Sequence, residues 1–208
     1  MHKPILGRLI LVLLLLAAAV GSVTAGRAKS VEAYSTYPCK WSAAVVNYRA
    51  VTPPSPRPPV PAEADQGAAA WNVTNKLRFV KAAGSGYNLS VTWNVYGNTG
   101  WTGVYTDSSL SLNWPACTSG HWVNKAPWIY SNLTYVGTYA SSWEKGVFDH
   151  EFGHPAGLLH NNSTSANACP SGSGANALMY YSDARFTLPC AVYTPRTDDK
   201  NGANALYP

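Results

Sequence analysis

One eleven-residue run combines residue types that could bind a metal ion and hydrolyse a substrate held next to it. It reads HEFGHPAGLLH and starts at His150. Residues four apart share a helix face, so His150 and His154 can present two imidazole nitrogens to one ion. Glu151 would lie beside that ion as a general base towards water. Gly157 suits the end of the helix, because glycine readily adopts left-handed backbone angles, and the reversed chain would bring in His160 as third ligand.

Three neutral imidazoles predict a zinc site with one open position. They leave the ion its double positive charge, which lowers the pKa of a water in that position to about 7 and polarises a carbonyl. With Glu151 as base, the expected reaction is hydrolysis without a covalent intermediate. The alternative, a helix with ordinary surface or core histidines, is disfavoured by the five fixed positions. The sequence predicts one catalytic Zn²⁺ and gives no support for a Ca²⁺ site.

The N-terminus predicts export. Residues 1–25 have a basic start, a twelve-residue apolar core at residues 9–20 and a small-residue cleavage site that ends at Ala25, which is the pattern of a secretory signal peptide. An uncleaved membrane anchor is the weaker alternative, since a span needs about 20 apolar residues. Residues 26–38 would then form a short N-terminal segment and residues 39–208 a single domain. We expect a secreted, extracellular protein.

The cysteines agree with export. Their even number in an exported chain predicts two disulfides, for which three pairings are open. We favour Cys169 with Cys190, which would brace the loop after the histidine helix, and Cys39 with Cys117 by elimination. One alternative is that Cys39 blocks the zinc as a latency thiolate, which would leave an odd cysteine.

Composition favours an extracellular β-rich domain. Charged residues are 12% of the chain, whereas about 25% is usual. Without Lys3 and Arg8 of the predicted signal, 13 of the 15 basic residues face 10 acidic ones, a net charge of about +3 that argues against nucleic acid as a partner. We expect a monomer with no membrane anchor. A secreted glycan-binding domain is an alternative function, because four tryptophans could form a sugar platform: Trp101, Trp114, Trp122 and Trp128.

Residue patterns along the chain predict an α+β fold. Apolar and β-branched runs predict strands at residues 42–51, 77–81, 89–96, 100–106 and 128–135. Helix-forming residues predict a helix at residues 62–71 and the histidine helix at residues 141–159. Residues 107–127 are predicted as a loop. The order is therefore strand, helix, further strands and the helix that carries the histidines.

These residues and this order resemble the metzincin clan of zinc peptidases, and within it the matrixin family. The HExxHxxGxxH run is the mark of the clan. Residues 177–180, ALMY, resemble its Met-turn, with Met179 placed 19 residues after His160. Residues 197–207, TDDKNGANALY, are similar to the matrixin C-terminal helix. The resemblance covers about residues 39–208, which it identifies as a matrixin-like catalytic domain.

The resemblance implies a metzincin, or zincin-like, fold: a twisted mixed five-stranded sheet with two long helices and a short C-terminal helix. Met179 would support the zinc site from below. An extended peptide would pair with the edge strand at residues 100–106, so the implied activity is a zinc endopeptidase that cleaves protein or peptide substrates. The side chains after Met179 would wall the pocket for the residue that follows the cut.

Three features depart from matrixins. Pro155 stands where relatives carry alanine; inside a helix it would cost about 3 kcal/mol and bias His154 away from helical geometry, so we expect Pro155→Ala to raise zinc affinity and thermal stability. This departure leaves a non-catalytic metzincin-fold binding module as an alternative. Tyr181 replaces a proline and either donates to the developing oxyanion, as a tyrosine at this offset does in astacins and serralysins, or walls the pocket. No PRCGxPD-like latency motif precedes Cys39.

Overall fold

A mixed five-stranded sheet is the framework of the molecule. The computed structural model describes residues 34–54, 60–74, 76–161, 177–186 and 190–207. Within them, the strands are β1 (Val45–Ala50), β2 (Arg78–Lys81), β3 (Leu89–Asn94), β4 (Gly103–Thr106), β5 (Cys117–Thr118), β6 (His121–Trp122) and β7 (Trp128–Asn132). The sheet order is β2-β1-β3-β7-β4, with β4 antiparallel at one edge and the other neighbours parallel. Strands β5 and β6 pair separately.

Helices pack on this sheet through aromatic side chains. The described residues form α1 (Ala62–Ala70), α2 (Leu133–Val136), α3 (Ser141–Gly153) and α4 (Thr197–Leu206). Phe152 of α3 is fully buried and lies edge-on to Tyr48 of β1 and Phe79 of β2, with ring centroids 5.3 and 5.0 Å apart. Gly67 lets α1 approach α3, because a Cβ there would come within 2.8 Å of the Phe148 Cβ.

The α+β class and the mixed five-stranded sheet are confirmed, while several predicted details of the elements are wrong. The strand predicted at residues 128–135 ends at Asn132, whose side chain accepts a hydrogen bond from the Thr134 N–H and so caps α2. The loop predicted at residues 107–127 contains the short strands β5 and β6. Both are local hydrogen-bonding features that apolar periodicity does not register.

The histidine helix is shorter than the predicted span of residues 141–159. It ends at Gly153, because Pro155 has no N–H to continue the hydrogen-bond ladder. The expected distortion of His154 is wrong: its φ of −65° and ψ of −52° are helical. The proline removes one bond of the ladder without turning this imidazole away, and the Ala156 N–H still donates to the Phe152 carbonyl at 3.2 Å. The reason for expecting Pro155→Ala to raise zinc affinity therefore no longer holds.

The predicted bridge between Cys39 and Cys117 is present, with Cα atoms 6.2 Å apart. The Cys39 sulfur is consequently not available as a latency thiolate. Cys190 is also disulfide-bonded, while its predicted partner Cys169 lies outside the described residues, as do the predicted signal peptide and most of the segment at residues 26–38. Among the helices that the structure describes, none is long and apolar enough to cross a membrane.

Candidate metal centre

Three histidines meet where α3 ends. The side-chain nitrogens of His150, His154 and His160 that could serve as ligands all lie within 4.8 Å of one another. The Nε2 atoms of His150 and His160 are 3.1 Å apart. His150 and His154 are buried, whereas His160 is exposed. The structure thus brings together the three ligands that the sequence predicts.

Backbone carbonyls fix which nitrogen faces the centre of this cluster. The Nδ1 of His150 lies 2.9 Å from the Leu178 carbonyl, and the Nδ1 of His154 lies 2.9 Å from the Leu158 carbonyl. A carbonyl oxygen only accepts, so each Nδ1 carries the hydrogen and each Nε2 keeps a lone pair. The lone pair on the His150 Nε2 faces the Nε2 of His160 at 3.1 Å. This arrangement fits a site that is completed by a cation.

The surroundings keep these rings neutral. Burial and then the neighbouring His160 lower the pKa of His150 to about 3. Burial first, followed by the two other histidines, holds the pKa of His154 well below its usual range, and desolvation also lowers the pKa of His160. All three imidazoles are therefore neutral at pH 7, which is the form that binds a metal ion.

Gly157 reverses the chain between the second and third histidines. It has a φ of +97°, and its N–H donates to the His154 carbonyl at 2.8 Å while the Leu158 N–H donates to the Gly153 carbonyl at 3.1 Å. These two bonds form a Schellman motif. A Cβ at Gly157 would also come within 2.5 Å of the Leu206 Cδ1. The backbone angle favours glycine here, whereas the Leu206 methyl group is the end of a flexible side chain that can shift.

The N-terminal segment holds this turn, which the sequence did not predict. The Leu159 N–H donates to the Ser35 carbonyl, and the Tyr37 N–H donates to the Gly157 carbonyl, both at 2.8 Å. These bonds fix the backbone directly before His160. They involve main-chain atoms alone, so no side-chain type in the segment could have indicated them.

Glu151 is buried and lies against the edge strand. Its Oε2 has no hydrogen-bond partner among the described residues, and its Oε1 is so close to β4 that a Cβ at Gly103 would come within 2.6 Å. Burial first, and then the charge of Asp183, raises the pKa of Glu151 well above its usual range. A nearby cation would favour the ionised carboxylate instead. The unpartnered oxygen, like the facing ring nitrogens, fits a site that a positive ion completes.

Met179 packs beneath α3, close enough that a Cβ at Gly153 would overlap its Sδ. The N–H groups of Leu178 and Met179 donate to the Asp199 carboxylate of α4 at 2.8 and 3.1 Å. Since the Leu178 carbonyl is the partner of His150, Asp199 helps to position the first ligand through this turn. Sequence reasoning placed Asp199 in the C-terminal helix but missed this role, which depends on residues about 20 positions apart.

Two cavities adjoin the histidine cluster. Their volumes are about 740 and 230 Å³. Four residues line both cavities: Gly103, Val104, Glu151 and His160. Tyr181 lines the larger cavity with 60% of its surface exposed, and within the described residues its phenol makes no hydrogen bond to the three histidines. Together the two cavities form a cleft beside the edge strand and the three histidines.

The four tryptophans of the predicted sugar platform do not share one exposed surface. Trp122 is only 5% exposed, so it is not available to a glycan. Trp114 is 52% exposed but packs against Tyr37, with ring centroids 3.6 Å apart, beside the smaller cavity. Trp128 stacks on Tyr130 with ring centroids 5.6 Å apart. Their contacts are those of core and rim residues.

Comparisons with known proteins assign no family. No protein-family model matches the chain, and no curated protein matches it. Among solved structures, the chain is similar to one from the GM1-bound form of the ECX AB5 holotoxin, with a TM-score of 0.48 and 12% identity over 85% of this chain and 89% of that chain. A similarity at that level assigns neither a fold family nor a function.

Proposed function

We propose that the protein is a secreted, zinc-dependent endopeptidase with a metzincin fold, most similar to the matrixin family. The observation that carries the proposal is the meeting of three imidazoles and a buried carboxylate with one unpartnered oxygen in one cleft. Three nitrogen donors suit Zn²⁺ better than Mg²⁺ or Ca²⁺, which prefer oxygen ligands. His150, His154 and His160 would hold the ion, the first two through Nε2.

Bound zinc would supply a Lewis acid for the scissile carbonyl and an environment that acidifies water. The chain's own residues would carry the proton. Glu151 takes it from the attacking water and then delivers it to the leaving amine. Its burial and its contact with β4 hold the carboxylate where a substrate backbone would pass.

The edge strand supports a peptide as the substrate. β4 pairs with β7 on one side and is the last strand of the described sheet. Its outer backbone groups can bind an extended chain as an added strand. Because two cavities adjoin Glu151 and His160, the cleft has room for substrate residues beyond the one next to the bond that is cut. This geometry favours internal cleavage over removal of terminal residues.

Glu151→Gln tests the proposal, because it keeps the shape of the side chain and removes the base. We expect cleavage of a denatured protein substrate to fall by about 10³-fold, while zinc content, measured on the same samples, stays at the wild-type level. A chelator such as phenanthroline should abolish the wild-type activity. Cleavage by Glu151→Gln at the wild-type rate would refute both the role of Glu151 and the proposed mechanism.

A further inference from the structure

The larger cavity contains a carboxylate that the proposed chemistry does not use. Asp183 begins a short 3₁₀ helix, Asp183–Arg185, four residues after Met179. It lines the cavity of about 740 Å³ together with Glu151 and His160. Among the described residues that line this cavity there is no lysine or arginine. The acidic group therefore has no basic side chain beside it in the cavity wall.

Two hydroxyl groups hold the Asp183 carboxylate in place. Thr102 Oγ1 donates to Oδ1 at 3.0 Å, and the Tyr139 hydroxyl donates to Oδ2 at 3.2 Å. Thr102 directly precedes β4 and Tyr139 lies shortly before α3, so the carboxylate is anchored from two parts of the fold. Neutral hydroxyls orient the group but do not cancel its charge, and each carboxylate oxygen keeps a free acceptor site.

The charge of Asp183 acts on its surroundings. Burial, followed by the charge of Asp183, raises the pKa of Tyr139 to about 12. The tyrosine thus remains a neutral donor at every pH at which the protein would work. The cavity keeps an oriented anion that a positively charged ligand could neutralise.

The other walls of the cavity suit a long aliphatic stem. Val147, Phe186 and the ring of Tyr139 line it beside Asp183. Lysine and arginine bury their methylene groups along apolar surface and keep the charge at the tip. Apolar walls with a single oriented carboxylate complement an aliphatic stem that ends in a positive charge. An apolar substrate side chain would instead remove water from Asp183 without supplying a positive charge in its place.

We propose that this cavity selects substrates with lysine or arginine flanking the scissile bond, and that Asp183 is the specificity-determining residue. The inference rests on the proposed endopeptidase function. The cavity shares Glu151 and His160 with the metal centre, so its occupant is a side chain next to the bond that is cut. Asp183 itself takes no part in the chemical step.

The test uses the mature, disulfide-bonded, zinc-loaded protein and two versions of one peptide, with either lysine or norleucine next to the cleavage site. Norleucine keeps the stem and removes the charge. We expect wild-type kcat/KM to be about 10- to 100-fold higher for lysine, and this ratio to fall to about 1 in Asp183→Asn. The two peptides are compared within each variant, because the effect of the Asp183 charge on Glu151 acts on the cleavage of both peptides. Mass-spectrometric mapping of cleaved proteome peptides should show the same basic preference on one fixed side.

The outcomes separate this inference from the proposed function. A wild type that cleaves both peptides equally, or an Asp183→Asn variant that keeps the lysine preference, overturns the inference and leaves the endopeptidase intact. Zinc-loaded wild type that cleaves no peptide overturns the proposed function and the inference with it. If Asp183→Asn does not fold, a wild-type ratio near 1 still overturns the inference.

Discussion

At the residue scale, the site depends on a position where no side chain fits. A Cβ at Gly153 would overlap Met179 Sδ and come within 2.8 Å of Trp71 Cζ2, and both neighbours are buried. We expect Gly153→Ala to lower the free energy of unfolding by about 2 to 3 kcal/mol. That corresponds to a fall in Tm of about 5 to 10 °C, measurable by calorimetry.

Gly86→Ala is the matched control, because no atom lies within 4 Å of its added methyl group. Its effect should stay below about 0.5 kcal/mol. Equal melting temperatures for Gly153→Ala and the wild type would show that Met179 does not pack beneath α3 as described.

Tyr181 tests whether the rim of the larger cavity takes part in catalysis. A phenol that donates to the developing oxyanion contributes about 10²-fold to kcat. We expect Tyr181→Phe to lower kcat by about that factor and to leave KM near the wild-type value, since the bond would form only in the transition state. Steady-state kinetics on a peptide substrate measures both. An unchanged turnover number would assign Tyr181 to the cavity wall alone.

The sequence predicted the residues of the centre whose arrangement is local. Helical spacing places His150 beside His154, and a glycine-ended turn returns His160, so eleven residues of chain carry all three predicted ligands. Asp183 could not be predicted in the same way. Its orientation depends on Thr102, which is 81 positions away along the chain, and no local pattern encodes that contact.

At the element scale, the position of Pro155 near the end of the histidine helix limits the effect of replacing it on stability and zinc affinity. His154 already has helical angles, so alanine at 155 has no distortion to relieve. It would gain one backbone hydrogen bond, worth about 1 kcal/mol, and lose the restriction that proline places on the unfolded chain, worth about 0.4 to 1 kcal/mol. We expect Pro155→Ala to change stability by less than about 1 kcal/mol and zinc affinity by less than about threefold. Titration calorimetry that found tenfold tighter binding would restore the idea of a strained helix.

The sequence predicted which segments are strands and helices more accurately than the residues at which these elements end. Alternating apolar runs and the alanine-rich segment at residues 62–70 indicated the strands and α1 correctly. Helix α3 ends at Gly153 because a hydrogen bond is missing at the following proline. Strand β7 ends at Asn132 because the Asn132 side chain caps α2. Apolar periodicity contains neither kind of information.

At the scale of the whole molecule, the Cys39–Cys117 disulfide joins the start of the fold to the segment that contains β5. It spans a sequence separation of 78 residues. Closing a loop of that length stabilises the fold by about 4 kcal/mol, mainly by restricting the unfolded chain. We expect the double variant Cys39→Ser with Cys117→Ser to lose about that much in a urea titration at fixed zinc concentration. Unfolding at the wild-type urea concentration would show that the bridge adds no stability.

The zinc content of the mature, disulfide-bonded protein is the decisive measurement, because every proposed role of the site depends on a bound ion. The protein is equilibrated with excess Zn²⁺, passed over a desalting column and analysed for metal, alongside His154→Ala and the control His121→Ala, whose histidine lies in β6 outside the cluster. We expect about one zinc per chain in the wild type and in His121→Ala, and a loss of affinity of at least tenfold in His154→Ala. Wild-type protein that retains no stoichiometric metal would contradict the account.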